Sequence, residues 1–321
     1  MLMKGVFYNE YGSADVLRYT ELADPRRGAD QVLIRVAACS VNPIDWRLRR
    51  GDARFLFPFG FPRIPGFDLA GTIEAAPAHS GFQPGERVAA FLDHLTGGAY
   101  AELAVCSPQV VAKLPESVSF EDGAALGLAG TTAVQSLRDY GRLGTGQHVV
   151  ITGASGGVGS LAVQIAKSRG ARVTAVASGT NHDLVMSLGA DRFVDYHQDR
   201  WLRSVDDCDL FFDAAGKCDF SDVKLILKAD GRFISTEPNL KNVGLSLLTA
   251  VVPGRTCRTM LARANARDLR ELISLCELGQ LKVVHNTTFP LPEAAEAHRH
   301  GEQGKGVGKI VLTVSQGSFR S

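Results

Sequence analysis

The sequence predicts an α/β protein, a doubly wound parallel sheet accompanied by an antiparallel, partly barrel-like β domain. The first observation behind this is the run Val149-Val150-Ile151-Thr152-Gly153-Ala154-Ser155-Gly156-Gly157-Val158-Gly159, an apolar strand entering a glycine-rich turn. The second is the alternation of strand-like and helix-like segments that follows it. The third is the lack of that alternation before residue 120, where β-like segments succeed one another between Pro/Gly turns.

In the N-terminal part, 17–21 and 31–39 read as strands around a Pro/Gly loop, and 67–76 and 87–91 continue the pattern. Prolines and aromatics crowd 55–65, which reads as a surface loop. Trp46, Phe55, Phe57, Phe59 and Phe61 suit either a pocket for a flat substrate or packing on their own domain. A helix of small apolar residues is expected over 121–140. Strands at 149–152, 172–177, 192–195, 210–214 and 231–235 then alternate with helices at 161–169, 183–188 and 220–227, the rhythm of a sheet covered on both faces. A last strand is expected at 258–262, and an amphipathic helix at 265–278. The tail, with strands at 283–289 and 309–314 and a helix from Pro292, returns to the first domain. The expected domains are 1–120 completed by 263–321, and 121–262.

A chain of 321 residues suffices for two domains. Its net charge of +1, without a basic stripe or charge block, argues against nucleic-acid and membrane partners. No apolar run is long enough to span a bilayer, and Met1-Leu2-Met3-Lys4-Gly5 enters a strand-like segment without a signal-peptide core, so a cytoplasmic location is expected. Six scattered cysteines without a C-x-x-C pair argue against a disulfide framework and a structural zinc.

The glycine turn is spaced Ala154-x-Gly156-x-x-Gly159. Small residues there let the backbone approach a dinucleotide pyrophosphate, and the following helix offers free N–H groups and a positive dipole end. Ala154, Ser155, Gly156, Gly157, Val158 and Gly159 are therefore candidate cofactor residues. The next strand ends in Ala177-Ser178-Gly179-Thr180-Asn181, with no acid to hold a ribose 2′-hydroxyl. Ser178, Thr180 and Asn181 would accept a 2′-phosphate without repelling it, which favours NADPH over NADH. Asp183 is the nearby acid that contests this, and the same loop also suits helix capping. Ala214, Ala215 and Gly216 end a later strand at the edge where such sheets bind ligands.

Further motifs run along almost the whole chain: Ser40-Val41-Asn42-Pro43-Ile44-Asp45, Pro65-Gly66-Phe67-Asp68-Leu69-Ala70-Gly71, Phe82-Gln83-Pro84-Gly85-Glu86-Arg87-Val88, Gly97-Gly98-Ala99-Tyr100-Ala101-Glu102, Ala129-Gly130-Thr131-Thr132-Ala133, Leu188-Gly189-Ala190-Asp191, Val194-Asp195-Tyr196, Phe212-Asp213-Ala214-Ala215-Gly216 and Gly308-Lys309-Ile310-Val311-Leu312. In this order they resemble the medium-chain dehydrogenase/reductase superfamily, in its zinc-independent quinone oxidoreductase branch of zeta-crystallin-like enzymes and alkenal reductases. The resemblance implies a Rossmann domain, a GroES-like catalytic domain and a homodimer, the last consistent with an edge strand near 258–262. Zinc members carry a ligand Cys where this chain has Asn42, and His-Glu where it has Phe67-Asp68. A catalytic zinc needs three protein ligands, so no metal is expected.

The resemblance also implies roles. Asn42 would lie near the nicotinamide and donate to a substrate carbonyl; its alternative is holding the Pro43 turn. Asp45 would fix the loop or the cofactor by accepting backbone hydrogen bonds. Thr131 would contact the nicotinamide amide, with plain helix packing as the alternative. Tyr196 would lie near the adenosine phosphate, and Val158 beneath the nicotinamide. Tyr100 reads as scaffold before proton donor. Arg47, Arg49 and Arg50 read as a solvated face, with an approach for an anionic substrate such as a CoA ester as the alternative, and His79, His94, His285, His298 and His300 receive no role. Without a metal Lewis acid, hydride addition to a quinone or to the β-carbon of an α,β-unsaturated carbonyl is the accessible chemistry, because the carbonyl oxygen needs only hydrogen-bond donors. The alternatives are a dedicated enoyl reductase of a biosynthetic pathway and a non-catalytic NADPH-binding sensor or interaction protein.

Overall fold

The computed structural model describes residues 1–52, 54, 60–237, 240–251, 253–304 and 306–315. Phe55, Phe57 and Phe59 of the aromatic loop lie outside the described residues. Two compact units form: Met1–Leu128 with Arg263–Glu277 and His285–Ser321, and Ala129–Ala262 with Leu278–Val284. We call them the β unit and the α/β unit.

The chain begins with β1 (Leu2–Phe7) and β2 (Arg18–Ala23), an antiparallel pair. Then come β3 (Val32–Val41), α1 (Pro43–Arg50), β4 (Asp68–Ala75), β5 (Arg87–Phe91), β6 (Leu103–Cys106) and β7 (Val111–Lys113). Burial alternates along the first half of β3 and becomes continuous over 38–41, so the strand delivers Asn42 into a dry interior. Asn42 is the N-cap of α1 and Pro43 its first residue, where a missing N–H costs nothing. The helix ends at Gly51 in the left-handed conformation.

Next, α2 (Phe120–Gln135) runs on into a π-helical turn, Ser136–Tyr140. The change of unit falls inside this helix, at 128/129 and not at 120. The reason is local: the Leu128 N–H donates to Asp68 Oδ1 at 2.7 Å, and Gly123 lies against Leu114, which holds the first turns to the β unit.

The α/β unit continues with β8 (His148–Thr152), α3 (Gly157–Ser168), β9 (Arg172–Ala177), α4 (His182–Ser187), β10 (Arg192–Asp195), β11 (Cys208–Asp213), α5 (Phe220–Val223), β12 (Leu227–Ser235), α6 (Leu240–Val251) and β13 (Thr256–Thr259). Its sheet is wholly parallel, in the order β10-β9-β8-β11-β12-β13. Counted from β8, that is the 3-2-1-4-5-6 order of the Rossmann fold, with the reversal between β8 and β11. All five residues of β8 are buried, as a central parallel strand requires.

The helix expected over 220–227 stops at Val223, because Leu227 already pairs with Cys208 and opens β12. The last strand is Thr256–Thr259, in register with β12, and not 258–262. Helix α6 was not expected. Residues 278–284 join this unit because Gln164 bonds both backbone groups of Lys282, at 2.9 and 2.8 Å.

The tail adds α7 (Ala266–Glu277), β14 (His285–Pro290), α8 (Ala294–Glu302) and β15 (Lys309–Thr313). β15 lies between β14 and β3 in the seven-stranded sheet of the β unit, antiparallel to β3, with Ile310 opposite Val41. The core of this unit packs Val6, Ile34, Leu69, Tyr100 and Leu312 together, and that of the other packs Val150, Val176, Phe211 and Phe233. Among the described residues no helix is long and apolar enough to cross a membrane.

Candidate active site

The candidate cofactor residues gather at the C-terminal ends of four neighbouring strands of the α/β unit. Gly153 to Gly159 follow β8, Ser178 to Asn181 follow β9, Tyr196 follows β10, and Ala214 to Gly216 follow β11. Gly153 lies against Ala215, so the turns after β8 and β11 adjoin at the switch point, where open α/β sheets bind ligands. A Cβ on Gly159 would overlap the Gly153 carbonyl oxygen, so only glycine lets α3 start this close to the strand. A Cβ on Gly156 would meet only Gly153 O, at 3.3 Å, and no side chain caps the N-terminus of α3. Backbone amides and an open approach are what a pyrophosphate requires.

Ser155 is tied to the β9 loop, its Oγ accepting from Asn181 Nδ2 at 3.0 Å, and Thr180 Oγ1 donates to Ser178 Oγ at 3.1 Å. Ala154 is buried, Gly157 and Val158 are half-buried, and Tyr196 is exposed with its ring 4.2 Å from that of His197. Thr131, in α2, is completely buried and its Oγ1 has no hydrogen-bond partner. Such an orphan costs about 1–3 kcal/mol unless something bonds it, so its hydroxyl, like the glycine cradle, fits a dinucleotide.

Asp183 points into solvent and pairs with His182 at 2.8 Å. The acid beside the Ser178–Asn181 loop is instead Asp195, at the end of the adjacent β10. It accepts the backbone N–H groups of His197 and Gly179 and the His197 ring, and these bonds hold its carboxyl below the usual range. Reading β9 alone missed it. The parallel pairing of Asp195 with Ala177 is the signal that would have found it.

In the β unit, Asn42 and Asp45 are buried, 1% exposed each, within a cluster of polar side chains. Asn42 Nδ2 donates to Asp68 Oδ2 at 2.7 Å, and Asn42 Oδ1 accepts from Lys309 Nζ at 2.6 Å. Ser40 Oγ also donates to Asp68 Oδ2, at 2.7 Å. Asp45 Oδ2 accepts the Asn42 N–H at 2.7 Å and Asp45 Oδ1 the Gly66 N–H at 3.1 Å, so this carboxyl pins the loop on both sides of the site. Burial pushes Asp45 up to about 7, against the bonds from Asn42 and Gly66 and the charge of Lys309, and with the neighbouring Asp68. Burial likewise raises Asp68, against the charge of Lys309, and lowers Lys309, against the charges of Asp68 and Asp45.

A second layer lies behind these residues, in which the sequence left Tyr100 as scaffold, Arg49 on a solvated face and His298 without a role. Tyr100 is completely buried, and its hydroxyl lies 3.3 Å from Asp45 Oδ2 and 3.2 Å from His298 Nε2. His298 Nδ1 lies 3.3 Å from Arg49 Nη1, and Arg49 pairs with Glu302. A guanidinium only donates, so Nδ1 accepts, the ring proton sits on Nε2, and Tyr100 donates to Asp45. Burial, with Arg49 nearby, pushes His298 down to about 3, so the ring is neutral. Arg49 is therefore no solvated face: its side chain is completely buried, and the partner that removes it from solvent lies on α8. His285 and His300 stand outside this layer, bonded to Asp122 and Asn286.

Among the described residues no three His, Cys, Asp or Glu side chains are grouped to hold a metal ion. The family described as zinc-binding dehydrogenase nevertheless matches residues 188–312, and the alcohol dehydrogenase GroES-like domain matches 28–116. A chloroplastic quinone-oxidoreductase homolog of Spinacia oleracea is 33% identical over 97% of this chain and 98% of its own. The NADPH-dependent alkenal/one oxidoreductase of Arabidopsis thaliana, also chloroplastic, is 31% identical over 97% of this chain and 79% of its own. The chain belongs to the quinone oxidoreductase branch of the medium-chain dehydrogenase/reductase superfamily. A solved quinone oxidoreductase from Coxiella burnetii superposes with a TM-score of 0.89, at 28% identity, over 98% of this chain and all of that one. The chain is thus an oxidoreductase of a nicotinamide-dependent family. In this chain Asn42 bonds Asp68 directly, and the buried ammonium of Lys309 donates to the other end of the Asn42 carboxamide.

Proposed function

We propose that this oxidoreductase reduces a quinone, or the β-carbon of an α,β-unsaturated carbonyl, with NADPH. The observation that carries the reading is Asn42. It is a neutral hydrogen-bond donor, held from both sides inside the β unit, where a metal-dependent relative would place a ligand. A donor of that kind suits an oxygen that gains negative charge during reduction, and conjugation already makes the accepting carbon electrophilic. When bound, the reduced nicotinamide supplies the hydride. Gly156, Gly157 and Val158 at the start of α3 would hold its pyrophosphate, with Ala154, Ser155 and Gly159 shaping the turn. Thr131 would bond the nicotinamide amide, and Ala214, Ala215 and Gly216 would line the switch point. Ser178, Thr180, Asn181 and Tyr196 would receive the adenosine and its 2′-phosphate, and Asp45 would keep the Asn42 loop in place. Water suffices to protonate the resulting enolate or hydroquinone anion.

A homodimer through β13 fits the same reading. That strand ends the parallel sheet, and Leu247, Leu248 and Leu261, on or just after the elements around it, are exposed. The free cysteines, four of the six buried, suit a reducing compartment such as the cytoplasm.

The test is NADPH oxidation against a quinone, a short enone, a crotonyl thioester and a simple ketone, with NADH in parallel. Fast turnover of the quinone or enone with NADPH, and none of the ketone, is expected. Turnover of the ketone alone would overturn the reading, and turnover of the thioester alone would replace it with a dedicated enoyl reductase.

A further inference from the structure

Lys309 is 4% exposed, in the β unit, at the start of a strand whose next three residues, Ile310 to Leu312, are apolar. A buried ammonium costs several kcal/mol unless its environment repays it. A simple ion pair would bring Nζ against a carboxylate. Here the nearest carboxylate oxygen, Asp68 Oδ2, is 3.9 Å away, and the Asn42 carboxamide is interposed, with its oxygen 2.6 Å from Nζ and its nitrogen 2.7 Å from Asp68. Val41 O accepts a further bond from Nζ at 3.3 Å.

This arrangement fixes which way the carboxamide faces. An ammonium only donates and a carboxylate only accepts, so Oδ1 must face Lys309 and Nδ2 must face Asp68. The flipped amide would set N–H groups against the ammonium and oxygen against the carboxylate. A cationic donor on the amide oxygen also draws electron density from the nitrogen, which strengthens its remaining N–H as a donor. That second proton is only weakly engaged: Ser40 Oγ is 3.5 Å from Nδ2 and gives its own proton to Asp68.

We propose that Lys309 is a positioning residue for Asn42, whose ammonium locks and polarises the carboxamide so that its second Nδ2 proton serves the substrate carbonyl oxygen. The inference rests on the function proposed above. Its groups come from the end of β3, the start of α1, the start of β4 and the start of β15, which only the folded β unit brings together.

The experiment compares wild type, Lys309→Met, Lys309→Arg, Asn42→Ala and the double variant Asn42→Ala/Lys309→Met. It follows kcat/KM for the enone, NADPH Kd by fluorescence, and the side-chain amide signals of Asn42 by NMR without cofactor, assigned by their loss in Asn42→Ala. Lys309→Met is expected to lower kcat/KM by about 100-fold at unchanged NADPH Kd, the scale of a misplaced reacting group. Lys309→Arg restores most of it, the double variant is no worse than Asn42→Ala alone, and the Asn42 amide protons shift upfield in Lys309→Met. If Lys309→Met does not fold, Lys309→Gln, which keeps an N–H donor without the charge, takes its place, with an intermediate loss expected. Unchanged kcat/KM, the same fold-loss in the Asn42→Ala background, or unmoved amide signals would each overturn the proposal. Full activity of Asn42→Ala with the amide shift present would refute the donor role given to Asn42 above, and leave the lock by Lys309 standing.

Discussion

At the C-terminal edge of the parallel sheet the candidate residues are uncharged and, Tyr196 apart, small, and most are half-buried or exposed. What matters there is the room left around the backbone of Gly153–Gly159. In the β unit the candidates are charged or strongly polar and dry, each held by another side chain: Asn42 between Asp68 and Lys309, Asp45 under Tyr100, His298 against Arg49. The first arrangement tolerates changes of chemistry and fails on added volume. The second fails on changes of hydrogen-bond polarity or charge. On the function proposed above, the chain would meet a charged dinucleotide with backbone and a neutral carbonyl with side chains.

The sharpest way to break this contrast is Asp68→Ala. It takes away the carboxylate nearest the Lys309 ammonium and leaves the Leu128 N–H without its acceptor. A loss of about 4 kcal/mol is expected. The two tryptophans lie one in each unit, Trp46 and Trp201, so denaturant unfolding of a Trp201→Phe background reports the β unit through Trp46. A loss under about 1 kcal/mol, the scale of a surface pair, would show that charge does not hold the cluster.

Gly159→Val should come next. The added side chain overlaps the Gly153 carbonyl, so NADPH affinity is expected to fall by about 3 kcal/mol, roughly a hundredfold, in a fluorescence titration. Unchanged affinity would mean that close approach of α3 to the turn is not what the cofactor needs.

A third test separates two groups that cancel. Folding moves Asp45 from 3.8 up to about 7, so the folded chain holds a proton there that the unfolded chain has released, and stability from this group is lost as pH rises from about 4 to 7. Folding moves His298 from 6.5 down to about 3, so the unfolded chain binds the extra proton, and stability from this group is lost as pH falls from 6.5 to 3. Between about pH 4 and 6.5 the two proton differences offset one another. His298→Phe should therefore make stability fall with rising pH in that window, and Asp45→Asn should make it rise, each by up to about 1.4 kcal/mol per pH unit. Parallel stability–pH curves for both variants and wild type would refute the pairing.

The smallest effect belongs to the exposed edge. Asp195→Asn removes the carboxylate bonded to the Gly179 N–H and should raise the NADPH-to-NADH affinity ratio by about threefold, as befits a partly exposed charge. A fall in that ratio would place Asp195 among the groups that favour NADPH.

The difference between the units also decides how much was legible beforehand. The parallel sheet announces itself locally: His148–Thr152, the glycine turn and α3 are contiguous, so spacing alone places them. The charged cluster does not. Lys309 and Asn42 are 267 positions apart, and Arg49 and His298 are 249 apart, and no periodicity links such pairs. Asn42 and Asp45 were visible only through a family motif. Two local signs were available, an isolated Lys opening the apolar strand Lys309–Thr313 and an isolated Asp opening 68–71, and both mark charges that a sheet interior must neutralise. Arg49 carried the opposite sign, since its neighbours Arg47 and Arg50 suggested solvent.

The place of β15 between β14 and β3 has a consequence for how the protein matures on the ribosome. The α/β unit has all six strands of its sheet once residue 259 has emerged. The β unit, begun first, waits with residues 38–41 of β3 unpaired on one edge and Asp68 without the Lys309 charge until residues 309–313 arrive. Domains generally fold as they are made, N-terminal first; here the earlier-made unit is finished later. Until then the nascent chain carries an open strand edge, the kind of surface that chaperones cover and that aggregation exploits.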